Sequence, residues 1–172
     1  MVRAGRFSKP SLPLIAALWF WGAANGGTNP EVPAARDVEI QVVVVRAKGR
    51  AEKPKYDPAV PKELQRQIEA NNLAYGEYQF VGVQRKGASF GKDTSFTLPE
   101  NESLVIRASG QDERPNLVGI SCRILDSHEA LILGNQLKVP YNRMFLIQRV
   151  RAPGAIIMGV SAHKPPAAPP KP

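Results

Sequence analysis

The chain has one cysteine, Cys122, and two histidines, His128 and His163, in 172 residues. A lone cysteine excludes an intramolecular disulfide, so the core must hold the fold without a covalent brace. These three residues also fall short of the four converging ligands that structural zinc requires. Carboxylates at calcium-loop spacing are missing, because Asp112-Glu113 and Glu100-Asn101-Glu102 are too sparse. There is no Gly-x-Ser-x-Gly elbow, and Lys86 to Lys92 has glycines and lysines without phosphate-loop spacing. Neither a metal nor a cofactor is therefore expected. The apolar run Leu12 to Trp21 covers about half of the roughly 20 residues that a membrane-spanning helix needs, so no span is expected in the mature chain. No internal repeat is present.

Hydrophobic residues make up 43% of the chain, too many for wholesale disorder, and sixteen prolines and fourteen glycines favour turns over a helical bundle. The first 26 residues have the three parts of an export signal. Arg3, Arg6 and Lys9 precede the apolar run, and Gly22, Ala23, Ala24 and Gly26 follow it as small residues for peptidase access, with cleavage after Ala24 or Gly26. Residues 27–36, with Pro30 and Pro33, read as a linker. The expected location is periplasmic or extracellular. Removing the signal lowers the formal charge from +8 to +5, which favours acidic partners by steering that weakens with salt.

Residues 37–163 read as a single β-rich domain. Val38 to Val45 begins with alternation and ends in four valines, the pattern of a central strand covered on both faces. Arg46, Lys48, Arg50, Lys53 and Lys55 then fall in a stretch read as a solvated loop, and form the candidate contact set for an anionic partner. No aromatic residue is interleaved as a stacking platform, which argues against nucleic acid. One helix is expected, with Asp57 as cap, Pro58 at its first position, Val60, Leu64 and Ile68 as its apolar stripe, and Gly76 as its stop.

From Glu77 the period becomes two. Strands are expected from Glu77 to Val83, Thr94 to Leu98, Ser103 to Ala108, Leu117 to Leu125, Ala130 to Val139, Met144 to Val150 and Ala155 to Ala162, with Lys86 to Lys92 as a turn. Residues 164–172 alternate prolines with small and basic residues, and read as a disordered tail of polyproline II character.

Cys122 shares a strand face with Val118, Ile120 and Ile124 and is expected to be buried and inert. Asp126-Ser127-His128 brings acid, hydroxyl and imidazole together in sequence. Neighbours on a hairpin tip diverge, whereas a catalytic triad converges from separate elements. Asp93, Glu100, Glu102, Asp112 and Glu113 lie in or near turns, and a glycosidase would need two of them facing across a cleft. No catalytic residue is selected by these patterns.

The ordered series Tyr56-Asp57-Pro58, a short helix, Tyr75 and Tyr78, Phe96-Thr97-Leu98-Pro99, Leu104-Val105-Ile106 and Ile156-Ile157-Met158-Gly159-Val160 resembles that of small exported bacterial proteins of unknown function with one β-rich domain. Two departures stand out: Glu100 occupies the position where glycine usually follows the Leu-Pro turn, and the glycine-rich loop is reduced to Pro153-Gly154. The resemblance covers about residues 55–162 and implies an extracytoplasmic domain without assigned catalytic residues. The expected fold is α+β, a mainly antiparallel sheet or sandwich with one packed helix. The expected role is a non-catalytic structural or protein-interaction module of the cell envelope, with a protein partner, as in a subunit of a larger assembly. The alternatives are a binding domain for an anionic surface polymer or lipid headgroups, and a hydrolase with an unrecognised site.

Overall fold

Four consecutive valines cannot be hidden by a one-sided sheet, and the strand that carries them is buried on both faces. This is β1 (Val38–Lys48), the middle strand of a five-stranded sheet, in a computed structural model that describes residues 37–110 and 116–165. The expected export signal, the linker, residues 166–172 of the tail, and Asp112 and Glu113 lie outside the described residues. The other elements are β2 (Lys55–Tyr56), α1 (Lys62–Ala70), β3 (Glu77–Ala88), β4 (Asp93–Thr97), β5 (Ser103–Ser109), β6 (Leu117–Leu125), β7 (Leu131–Pro140), β8 (Met144–Arg151) and β9 (Gly154–His163).

Sheet A has the order β2-β3-β1-β9-β8, and sheet B the order β4-β5-β6-β7. All pairings are antiparallel except the short β2–β3 contact. The described residues thus form a β-rich α+β fold with one short helix. No helix among the described residues is long and apolar enough to cross a membrane.

The period of two divides β1 between two apolar clusters. Val38, Ile40, Val42 and Val44 join Ile156, Met158 and Val160 of β9 and Leu104, Ile106, Ile120, Cys122 and Ile124 of sheet B. Val43, Val45 and Ala47 point the other way, toward Leu64 and Ile68 of α1, with Tyr78 and Ile157. Val60, Leu64 and Ile68 are all buried, as their spacing predicts. Three tyrosines close the cluster beyond the helix. Tyr56 stacks on Tyr78 with centroids 4.8 Å apart, Tyr75 meets Tyr78 edge-on at 6.3 Å, and the Tyr78 hydroxyl donates to the Leu73 carbonyl. Burial, and secondarily Glu69, pushes the Tyr56 hydroxyl up to about 12.

Several expectations need correction. Asp57 does not cap α1. Its carboxylate accepts the Ala59 N–H at 2.8 Å, which closes a turn ahead of the helix, and Pro61 occupies the cap position without a side-chain bond. Gly76 does not stop the helix. The turn is made by Asn71, whose N–H bonds the Gln67 carbonyl at 3.1 Å, and by Asn72 at φ 50°. Gly76 is needed for close approach instead, since a Cβ there would lie 3.1 Å from the Arg50 carbonyl carbon.

Lys86 to Ala88 belong to β3, not to a turn, because β1 supplies partners along its whole length. The polar side chains of this extension also serve the neighbouring sheet. Gln84 accepts the Thr97 N–H at 3.2 Å and donates to the Thr97 carbonyl at 2.7 Å, and Lys86 donates to the Ser95 carbonyl at 2.6 Å. Side chains of one sheet thereby satisfy the open backbone edge of the other.

Candidate functional site

Two strands of sheet A change character at the same end. On the face of β1 that meets sheet B, Val42 and Val44 give way to Arg46 and Lys48; on the same face of β8, Phe145 and Ile147 give way to Arg149 and Arg151. The register sets these four cations in two rungs. Arg46 and Arg149 both flank Ile156 of β9, and Lys48 and Arg151 both flank Gly154. Strands lie about 4.8 Å apart, so each rung spans about 10 Å, and same-face positions along a strand are about 6.8 Å apart. Gly154 leaves the space between the second pair without a side chain.

Sheet B closes this end with two carboxylates on the turn between β4 and β5. Pro99–Asn101 form a tight turn, in which Glu100 (φ 65°) and Asn101 (φ 60°) take left-handed backbone. Glu102 is 4% exposed. Its Oε1 accepts from Arg151 Nη1 at 3.0 Å and lies 3.6 Å from Arg149 Nη2. The other oxygen of Glu102 and the Arg149 Nε have no hydrogen-bond partner. Glu100 also pairs with Arg151, but there both side chains are close to half exposed, at 44% and 45%. An exposed pair of this kind contributes about 0–1 kcal/mol, whereas Glu102 is out of water and held by its guanidinium partners.

Between these groups lies a groove of about 180 Å³, lined by Arg46, Lys48, Arg151, Glu100, the cis Ala152-Pro153 peptide and Gly154. Among the described residues, neither Arg46 nor Lys48 has an ion-pair partner. Among the described residues the site therefore holds excess positive charge.

The five cations nominated from sequence are split by the structure. The expected loop is in part strand: Arg46 and Lys48 end β1, and Lys55 lies in β2. Arg50 lines an adjoining shallow hollow with Tyr75, Val150 and Pro153, and Lys55 lines another with Tyr56, Asp57 and Glu77. Lys53 is exposed between them. Arg149 and Arg151 were not among the nominated residues, although their alternation behind Phe145 and Ile147 carries the signal.

The other candidates have structural partners. Asp93 receives Arg107 Nε at 2.7 Å and Arg123 Nη2 at 2.6 Å, and the Arg107 bond leads in holding its carboxyl below the usual range. Each described carboxylate of the hydrolase set is thus engaged by arginine. Asp126 accepts the N–H groups of His128 at 2.8 Å and Ala130 at 2.9 Å, which depress its pKa, the Ala130 bond foremost. His128 itself is exposed on that turn. Cys122 is buried, and burial pushes its thiol up to about 12.

One arrangement escaped the sequence altogether. Ser161 Oγ lies 2.9 Å from His163 Nε2, and His163 Nδ1 lies 2.8 Å from Asn142 Oδ1. The order imitates a nucleophile, a base and an orienting group. A nucleophilic serine must meet substrate beside free N–H donors. Ser161 is 4% exposed on a strand paired on both sides, with Gln41 of β1 and Met144 of β8. The network instead pins the β7–β8 turn, where the Asn142 N–H also bonds the Ala162 carbonyl at 2.8 Å.

No family model matches the chain, and no curated protein or solved structure matches it either.

Proposed function

We propose that the mature chain is a non-catalytic binding module outside the cytoplasm, and that it holds an anionic polymer on the basic end of sheet A. In this reading the two sheets form a sandwich whose interior is apolar and whose end at Arg46 and Arg151 is cationic. The observation that carries the reading is the double rung of Arg46, Arg149, Lys48 and Arg151, with Glu100 and Glu102 alone set against it among the described residues. Cations that alternate on one sheet face at fixed spacing offer a row of donors to successive anionic groups, and arginine adds a planar fork that matches carboxylate and phosphate.

Retention on immobilised heparin tests it. The wild-type chain is expected to bind in low salt and elute as salt rises. The double variant R46E/K48E should lose about tenfold or more in affinity, while K53E/K55E, with the same change in net charge, should lose much less. Equal losses in the two variants would reduce the effect to bulk charge and remove the groove from the explanation.

A protein partner is the second reading, favoured by one observation on sheet B. Among the described residues the edge strand β7 pairs only with β6, and Leu131 and Leu133 beside that edge are 63% and 37% exposed. An extended segment of a partner could add a strand there. Replacing Leu131 with lysine should then weaken any assembly seen by sedimentation, and an unchanged profile would leave the edge idle.

A further inference from the structure

Glu100 combines a left-handed turn position with an ion pair in the groove. Its backbone adopts φ 65°, a left-handed conformation that side chains other than glycine and asparagine seldom take. Its carboxylate pairs with Arg151, in the wall of the groove. Arg151 does not need it for orientation, since the buried Glu102 already receives the same Nη1 at 3.0 Å.

We propose that the groove between Arg46, Lys48 and Arg151 is a subsite for one oxyanion group, a carboxylate or a phosphate, and that the Glu100 side chain is its internal occupant. The inference rests on the polyanion reading above and adds the chemistry of the group that enters and the residue that it displaces. Three features carry it. The groove, about 180 Å³, is below the roughly 300 Å³ at which pockets for drug-sized ligands begin, so it suits a single anionic group and not a whole small molecule. Three cations and one carboxylate line it, leaving an excess of two positive charges while Glu100 is in place and three once it swings out. Glu100 is 44% exposed, so water can receive its carboxylate when a ligand group takes over Arg151, whereas Glu102 stays fixed at 4%.

The test is calorimetric titration of the purified chain and its Glu100→Gln variant, in low salt, with two polymers: polygalacturonate as the carboxylate probe and polyphosphate as the phosphate probe. Glutamine keeps the size of the side chain and removes its charge. The expected result is a gain in affinity of about threefold or more for the variant, on the order of other changes in single rim charges. A gain with polygalacturonate alone assigns a carboxylate, with polyphosphate alone a phosphate, and with both a shared oxyanion site. Glu39→Gln, at the opposite end of β1 from Arg46 and Lys48, makes the same change in net charge, and an equal gain there would overturn the proposal. Unchanged affinity in Glu100→Gln, alongside the loss expected in R46E/K48E, would overturn it and leave the polyanion reading intact. If neither polymer binds either chain, both fall.

Discussion

Replacing Glu102 with alanine is expected to lower the stability of the fold by about 3 kcal/mol, read as a drop in the urea midpoint at unchanged slope. Glu102 is the one acidic residue of the described chain that is fully withdrawn from water, and it stands where the β4–β5 turn of sheet B meets the arginines of β8. Its removal strips Arg151 of its 3.0 Å acceptor and leaves the Arg149 guanidinium, already without a partner at Nε, facing a void. Arg149, 27% exposed, keeps part of its desolvation penalty once its counter-charge is gone, whereas Arg151, 45% exposed, turns to water. Glu102→Gln should recover part of the loss by preserving shape and one acceptor. A decrease below about 1 kcal/mol for the alanine variant would show that the two arginines relax into solvent and that the carboxylate does not hold the sheets at this end.

Leu64→Ala should cost a similar amount, about 2–5 kcal/mol, through lost burial and the cavity left behind. Leu64 has no exposed surface and lies centrally in the Val60, Leu64, Ile68 stripe that binds α1 to sheet A. Its seat is made by a glycine. A Cβ at Gly159 would stand 2.9 Å from Leu64 Cδ1 and 2.6 Å from Met144 Sδ, so the bare β9 backbone is what admits the side chain. A nine-residue helix is too short to persist in water without such a face. Amide exchange in α1 should therefore rise more than exchange in β1 or β9. Uniform acceleration across all elements would mean that the helix and the sheet unfold as one unit.

Much of the architecture was legible residue by residue. Val42 to Val45 specified a strand buried on both faces, because only a central position hides consecutive β-branched side chains. Val118, Ile120, Cys122 and Ile124 specified an inward face, and β6 spans Leu117–Leu125 as expected. The elements whose limits were misjudged are those whose residues obey a partner. Lys86 and Gly87 look like turn residues until β1 supplies their ladder and Ser95 receives the lysine. Asp57 and Gly76 have ordinary cap and stop chemistry, but it acts on neighbouring turns and on the approach of Arg50 and Ala51.

The candidate site divides the same way. Arg46, Lys48 and Arg50 were visible as a local run of cations, since nearness in sequence is all that composition can report. Arg149, Arg151, Glu100 and Glu102 are about 50 to 100 residues further along, and only the pairing of β9 with both β1 and β8 sets the arginines beside Arg46 and Lys48. By itself the sequence determined periodicity, the burial of the valine and isoleucine faces, the apolar stripe of α1 and the burial of a lone cysteine on an apolar strand. Each follows from the local alternation of side chains and from the cost of leaving apolar surface in water. The tertiary structure alone decided which charges share a groove and which carboxylate is buried, because electrostatic interaction depends on distance and solvent exclusion, and strand order sets both.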